Sequence, residues 1–459
     1  MDLNGAHCDD RPLVFSDLVA WFEEGSKAPA DFRVGAEHEK FVFHTEGHGP
    51  VAYQGPAGIR ALMEGMMRFG WKGAFERSPT GGETLIGLSR GAANISLEPG
   101  GQFELSGAPL HSMHDICEET GQHLEEAKAV AEELGLGFLG LGFAPTWRRD
   151  QIPIMPKGRY QIMRAYMPKV GALGLDMMLR TCTVQANLDF GDEADMVAKF
   201  RVSLALQPIV TALFANSPFT EGKPNGFLSA RAHVWTDTDP DRTGMLDFVF
   251  DDGFGFEVYA RYALDVPMYF VKRQGRYIDV AGRSFRDFMA GKLDAVPGER
   301  PTIADWVDHT STIFPEVRLK QYLEMRGADA GPWSRLCALP ALWAGLLYDP
   351  AALAAAWDIC KVWTPADRGA LREDATRLAL KATVRGRSVG DIAVEMLALA
   401  REGLRRRNRL SAGMVDETGY LEELEDIAET GLTAAERLLE LYHGPWQGNA
   451  GEVFDTFAY

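Results

Sequence analysis

Residues 95–107 read ISLEPGGQFELSG, an alternating, strand-like stretch with a Pro-Gly-Gly bend and two glutamates, Glu98 and Glu104. Burying a carboxylate without a partner is costly. A chain that puts two of them in a sheet must supply cations, ligands or solvent, and this constrains the fold more than composition does. The pattern recurs. Side chains two apart on a strand share a face, which pairs Glu37 with Glu39 in GAEHEKF and Gln102 with Glu104. In RTCTVQANLDF it gathers Thr181, Thr183, Gln185, Asn187 and Asp189. In SARAHVWTD it gathers Arg231, His233 and Trp235, and in YLEMRGAD it gathers Tyr322, Glu324 and Arg326.

Taken singly, each segment also fits a strand with one solvated face, the commoner case. As a set they do not. Lys is absent from these faces, and five glutamates, two arginines and short hydrogen-bonding groups stand in its place. That composition is the lining of a polar cavity. Five carboxylates facing one cavity repel and raise each other's pKa unless cations neutralise them. Oxygen donors without a Cys/His cluster point to Mg²⁺, with Mn²⁺ the alternative. Carboxylate-bound Mg²⁺ beside arginines is a common way to hold a nucleoside triphosphate.

Composition narrows the classes. A net charge of −18 argues against non-specific nucleic-acid binding and for a soluble chain. The basic run 405–409 reads as the solvated end of a helix. Cys8, Cys117, Cys182, Cys337 and Cys360 are scattered, with no zinc spacing. The N-terminus is polar and acidic, unlike a signal peptide. The longest apolar run, 336–348, contains Pro340 and is too short to span a membrane. Together these features suggest a reducing, cytoplasmic setting with no membrane partner.

Along the chain, a short helix is expected from Phe15 to Glu24, capped by Ser16 or Asp17, and a strand over 32–44. Residues 55–70 are helical by period, 84–107 form two or three sheet segments, and 111–135 form a helix ended by glycine. A strand-rich middle is expected to about residue 330, followed by four or five Ala/Leu-rich helices, one opened by the capping box Thr433–Glu436. Strands and helices without regular β-α-β alternation favour an α+β fold on a mainly antiparallel sheet. Residues 1–330 would form the catalytic core and 331–459 a helical region packed on it as one compact unit.

Three motifs carry little. GLGFLG at 135–140 follows a helix, the reverse of a dinucleotide-binding turn. Asn94-Ile95-Ser96 is a sequon without a secretory context. His111 and His114 read as capping or solvated residues near a helix start.

The motifs FRVGAEHEKF, ISLEPGGQFELSGAPL, MPKGRYQIMRAYMPKVG, RTCTVQANLDF, LFANSPFTEGKPNGFLS, WTDTDPDRTGM and YLEMRGADAGPW together resemble glutamate–cysteine ligases of the plant and proteobacterial type. The resemblance runs from about residue 12 to the C-terminus. It implies a glutamine-synthetase-like fold whose curved antiparallel sheet forms a funnel. It also implies a reaction in which ATP phosphorylates the γ-carboxylate of L-glutamate and the amino group of L-cysteine displaces phosphate. The product is γ-glutamylcysteine, the first intermediate of glutathione synthesis.

Residue by residue, the resemblance implies that Glu37, Glu39, Glu98, Glu104 and Glu324 are metal ligands, with Glu104, Arg231 and Arg326 catalytic. Arg326 would contact ATP phosphates. Arg231 and Tyr269 would hold glutamate, with Thr183 and Trp235 alongside, and Gln185 and Asn187 would lie beside the metals. Lys157, Arg159, Arg164 and Lys169 would be phosphate or substrate contacts. For Tyr269 and Trp235, core packing is the alternative.

The resemblance also matches Cys117 and Cys337 to a plant disulfide pair, so their Cα atoms are expected within about 7 Å. The bond is expected mostly reduced in a glutathione-rich cytoplasm. A second plant disulfide would fall at Val280 and Ala295 and cannot form here. The enzyme is expected to be a monomer or a weak homodimer. Two readings compete: a ligase with another amine acceptor, and an inactive homologue that only binds a partner. The second should have lost some of the five glutamates, and none is lost.

Overall fold

The computed structural model describes residues 11–77 and 82–459; Cys8 lies outside them. Its centre is a nine-stranded sheet. In chain order the strands are β1 (Val34–His44), β2 (Lys72–Arg77), β3 (Glu83–Arg90), β4 (Ala93–Leu97), β5 (Phe103–Ser106), β6 (Leu136–Leu139), β7 (Thr183–Leu188), β8 (Val317–Leu319) and β9 (Leu323–Asp329). They lie in the order β8-β9-β7-β1-β5-β4-β3-β2, with β6 on the end of β1. Every pairing is antiparallel, as expected for an α+β fold of this kind.

β1 is central and almost wholly buried. Its first half pairs with β7 and β5, and its second half pairs with β6. Val34, Phe41, Val42 and Phe43 suit a strand covered on both sides. Register then decides what meets. Glu39 lies opposite Glu104, which also faces Ser96, while Glu37 lies opposite Gln185 and Glu324 opposite Asn187. Directly opposed residues project from the same face, so the polar side chains of β1, β4, β5, β7 and β9 gather on one side. His38, Leu105 and Val184 project from the other.

The helices used below are α1 (Met113–Leu134), α2 (Gly158–Tyr166), α3 (Glu193–Leu213), α4 (Ala230–Val234), α5 (Trp333–Leu347) and α6 (Val389–Arg407). α1 begins where Ser112 Oγ accepts the Asp115 amide at 3.2 Å and ends at Gly135, whose φ of 66° suits glycine. The Thr433–Glu436 capping box forms as expected. Arg405, Arg406 and Arg407 end α6 in ion pairs with Glu402, Asp349 and Glu417.

Several expectations fail. The first helix runs Phe15–Glu23 with Val14 at its N-cap, and Asp17 accepts the Val14 amide instead of starting the helix. The middle is helix-rich: α2, Gly174–Arg180, α3, α4 and Phe256–Asp265 intervene between β6 and β8. Among the described residues, seven α-helices follow residue 330. α3, with 21 residues, is long and apolar enough to cross a membrane, but most of it is buried inside the protein; a helix apolar all round is a core helix here. The run 336–348 forms most of α5 and is buried around Pro340. One apolar cluster contains Val184 and Leu188 of β7 together with Leu339, Trp343 and Met396 of the C-terminal helices.

Cys117 of α1 and Cys337 of α5 are bonded, with Cα atoms 5.8 Å apart. Their proximity is as expected.

Candidate active site

The carboxylates reach one face by strand register and one tight bend. Glu37 and Glu39 alternate along β1, and Glu104 leaves β5 opposite Glu39. Glu98 follows β4 at the bend, where its amide donates to Gln102 O and its carbonyl accepts Gly101 N–H. The φ of 84° at Gly101 is what lets the chain turn there. Glu324 comes from β9, on the other side of β7.

Two charge regimes share this face. Burial pushes Glu37 up to about 7, with Glu324 and Glu104 pushing the same way. Burial, then Glu104 and Glu98, holds Glu39 well above the ordinary carboxylate range. Burial and Glu98 also raise Glu104. Glu324 is the opposite case. Burial would raise it, but Arg318, Lys320 and Arg326 outweigh that and hold it well below the usual range. Its Oε1 accepts from Arg318 at 2.9 Å and Lys320 at 3.1 Å, and its Oε2 accepts from Arg326 at 2.6 Å.

Three of the remaining carboxylates are each held by a protein donor. Asn187 Nδ2 donates to Glu37 at 2.7 Å, the Thr183 amide to Glu39 at 3.0 Å, and Ser96 Oγ to Glu104 at 2.7 Å. Among the described residues no three acidic, His or Cys groups close on one point. The expected cluster is therefore a shared face, not a preformed cage: Glu37, Glu39, Glu104 and Glu324 each turn to neighbouring donors. The donor set still suits a hard cation. It is all oxygen, three members are raised by burial and mutual charge, and Asn187 Oδ1 is buried without a partner.

A narrow cavity opens beside them. Glu39, Glu98, Arg159, Thr181, Thr183, Arg231, Trp235, Phe314 and Arg326 line it, with Met163, Met177 and Met178 as an apolar wall. Three of its donors are buried and unpartnered: Arg159 Nε, Arg231 Nε and Trp235 Nε1. Arg231 is anchored by NH2 to the Arg326 carbonyl at 2.7 Å, and Arg326 NH1 reaches Gln185 Oε1 at 2.6 Å. Lys157 lies close by, its amine bonded to Leu97 O at 2.8 Å and brought down to about 8 by burial. A larger cavity, about 600 Å³, lies between α3 and Pro350–Cys360. Its Glu193 and Arg201 are spent on backbone groups, so it offers no comparable chemistry.

Some expected residues do not join. Arg164 and Lys169 are exposed and off the cavity. Tyr269 is 1% exposed and does not line the cavity; it stacks under the Arg242 guanidinium, with its hydroxyl near Asp239 and Met167. Asp189, expected on the polar face of β7, lies beyond the strand end and accepts Lys27 and the Arg33 amide. The segment SARAHVWTD is not a strand. It forms α4 and a following turn of 3₁₀-helix, so Arg231 and Trp235 reach the cavity by helical geometry while His233 stacks on Phe227 outside it. Arg318 and Lys320 were missed, although VRLK alternates as GAEHEKF does, and Lys320 places a lysine on a face expected to lack one.

Comparison with known proteins identifies the family. The model of glutamate–cysteine ligase family 2 (GCS2) matches residues 33–456. This chain belongs to that family. The chloroplastic glutamate–cysteine ligase of Arabidopsis thaliana is 57% identical over 449 residues, 98% of this chain and 83% of that one. Glutamate–cysteine ligase B of Oryza sativa subsp. japonica, also chloroplastic, is 56% identical over 98% of this chain and 88% of its own. The solved glutamate–cysteine ligase of Francisella tularensis, in complex with AMP, shares the fold with a TM-score of 0.52 at 14% identity, covering 93% of this chain and 87% of that one. The expected activity stands: ATP-dependent ligation of L-glutamate through its γ-carboxylate to the amino group of L-cysteine. The reading with another acceptor finds no support. The cytoplasmic setting is overturned, since these plant relatives are named chloroplastic; scattered thiols and an acidic surface do not report a compartment.

Proposed function

We propose that Glu37, Glu39, Glu98, Glu104 and Glu324 hold the Mg²⁺ ions of this ligase, and that the donor-lined cavity beside them receives glutamate and the ATP phosphates. The observation that supports it most is the register that sets Glu39 against Glu104, Glu37 against Gln185 and Glu324 against Asn187 on a single face. A carboxylate is a poor electrophile, so the γ-carboxyl must be phosphorylated before an amine can displace phosphate. Bound Mg²⁺ would neutralise the phosphate charge that develops in that transfer.

The chain's own groups do the rest. Arg326 is set by Glu324 and Gln185 to meet phosphate oxygens, with Arg159 lining the same cavity and Lys157 held nearby on the Leu97 carbonyl. Arg231 presents a guanidinium suited to pairing with a carboxylate of glutamate, and Trp235 supplies a second donor. The methionine wall and Phe314 keep bulk water from the activated acyl group. The test is phosphate release by the purified protein with ATP, Mg²⁺ and glutamate while acceptor amines are varied. Cysteine should give the highest rate, and chelation of the metal should stop it. Release that is indifferent to metal, or equal with all amines, overturns the assignment.

A further inference from the structure

One buried acid on β9 has no part in the roles above. Asp329 is fully buried, and its carboxylate takes three hydrogen bonds. Ser229 Oγ donates to Oδ1 at 2.7 Å, while Ser217 Oγ at 2.6 Å and the Asn216 amide at 2.9 Å donate to Oδ2. Both serines carry the contact onward. Ser217 Oγ accepts the backbone N–H of Arg231 at 3.2 Å. Ser229 Oγ accepts the Ala232 N–H at 3.1 Å and so caps α4. One carboxylate therefore orients the two hydroxyls that fix the first turn of the helix presenting Arg231.

The opposite end of Arg231 is fixed by the same strand. Between Met325 and Ala328, β9 slips register against β7, and the Arg326 carbonyl in that bulge accepts Arg231 NH2 at 2.7 Å and Thr183 Oγ1 at 3.2 Å. Backbone and guanidinium of Arg231 are thus both indexed to Arg326–Asp329. A rigid support of this kind matters, because misplacement by about 1 Å in a bound geometry is costly to rate. Among the carboxylates acting on Arg231, Asp329 opposes the effect of burial on that guanidinium most strongly, ahead of Glu39 and Glu316.

We infer that Asp329 is a positioning residue for glutamate recognition: it sets Arg231 through Ser217 and Ser229, and touches no substrate itself. The inference rests on the reading of Arg231 as the residue that meets glutamate. An asparagine keeps the shape of Asp329 but turns an NH₂ group toward one of three donors, so that contact is lost.

The test is steady-state kinetics on Asp329→Asn, with Ser217→Ala and Ser229→Ala as milder variants should Asp329→Asn fold poorly, as judged by circular dichroism and melting. The expected result is a KM for glutamate raised about tenfold in Asp329→Asn, the scale of one charged hydrogen bond. The KM for ATP should stay within about twofold, and each serine variant should move the same way by less. Calorimetric titration of glutamate without ATP should show the same weakening. If the folded variants change both KM values equally, or lose melting temperature with no split, Asp329 is only structural and the inference is overturned. Failure of the parent reading looks different: Arg231→Ala itself would then leave glutamate binding intact.

Discussion

The two ends of the carboxylate face solve the same problem in opposite ways. At the β9 end, Glu324 is buried but surrounded by Arg318, Lys320 and Arg326, and stays ionised. At the β5 end, Glu39, Glu98 and Glu104 crowd one another, and burial raises Glu39 and Glu104. One end is balanced by the chain. The other is balanced only in part: Arg231, Lys157 and Arg326 pull the opposite way, but burial and mutual charge outweigh them. Buried like charges are a liability to folding, so the partly balanced end is where function outweighs stability.

The sharpest way to break the contrast is Glu104→Gln. It should cut turnover at saturating substrates and Mg²⁺ by about a thousandfold, ~4 kcal/mol of transition-state stabilisation, while the melting temperature holds or rises because repulsion is relieved. Near-normal turnover would remove Glu104 from the mechanism. Arg231→Ala comes next: the KM for glutamate should rise about 10- to 100-fold, the range for a lost charge-assisted contact, with the KM for ATP little changed. An equal rise in both would make Arg231 a general support.

Arg318→Met probes the compensated end. Glu324 would keep two cations, so the loss should be about 1–3 kcal/mol of stability by chemical denaturation, less than for a fully orphaned buried charge. If Arg318→Met is neutral and Glu104→Gln destabilises, the contrast is reversed.

The proton test is subtler. Glu37 sits at about 7, raised above its unfolded value. Below that pH it is protonated and must lose a proton to take a cation, so Mg²⁺ dependence of the rate should weaken about tenfold for each unit of acidification below it and level off above. The same sign means that Glu37 favours the fold at low pH and opposes it as pH rises through about 7. Glu37→Gln should flatten both trends; a Mg²⁺ dependence unchanged across that range would show that Glu37 does not take the ion. The smallest effect should follow reduction of Cys117–Cys337: dithiothreitol should change the rate by less than about twofold, because a disulfide acts chiefly on the unfolded chain.

Much of this face was legible. GAEHEKF, QFEL, TVQAN and YLEMR each keep strict alternation, and in each the structure follows it. Periodicity failed where distant contacts overrode it. SARAHVW alternates, yet Ser229 caps a helix by virtue of Asp329, 100 residues away. Arg318 and Lys320 look like an ordinary amphipathic pair until the β8–β9 hairpin folds them onto Glu324. Tyr269 gives no local sign that Arg242 will cover it.

The bond between Cys117 and Cys337 closes a covalent ring of the chain, and the functional face straddles that ring. Lys157, Arg159, Thr183, Arg231, Glu324 and Arg326 lie inside it, whereas Glu37, Glu39, Glu98 and Glu104 lie on the arm that precedes it. In an oxidised chain the anion-reading arginines are confined to a tethered loop even when unfolded, at a loop-entropy cost to the denatured state of about 5 kcal/mol. Four of the five carboxylates remain on a free arm. β1, itself part of that arm, inserts between β7, a strand of the ring, and β5, so the site becomes whole only when the arm threads into the sheet. Limited proteolysis of the oxidised protein between α1 and α5 would therefore leave both fragments linked, and cleavage before α1 would release every carboxylate but Glu324.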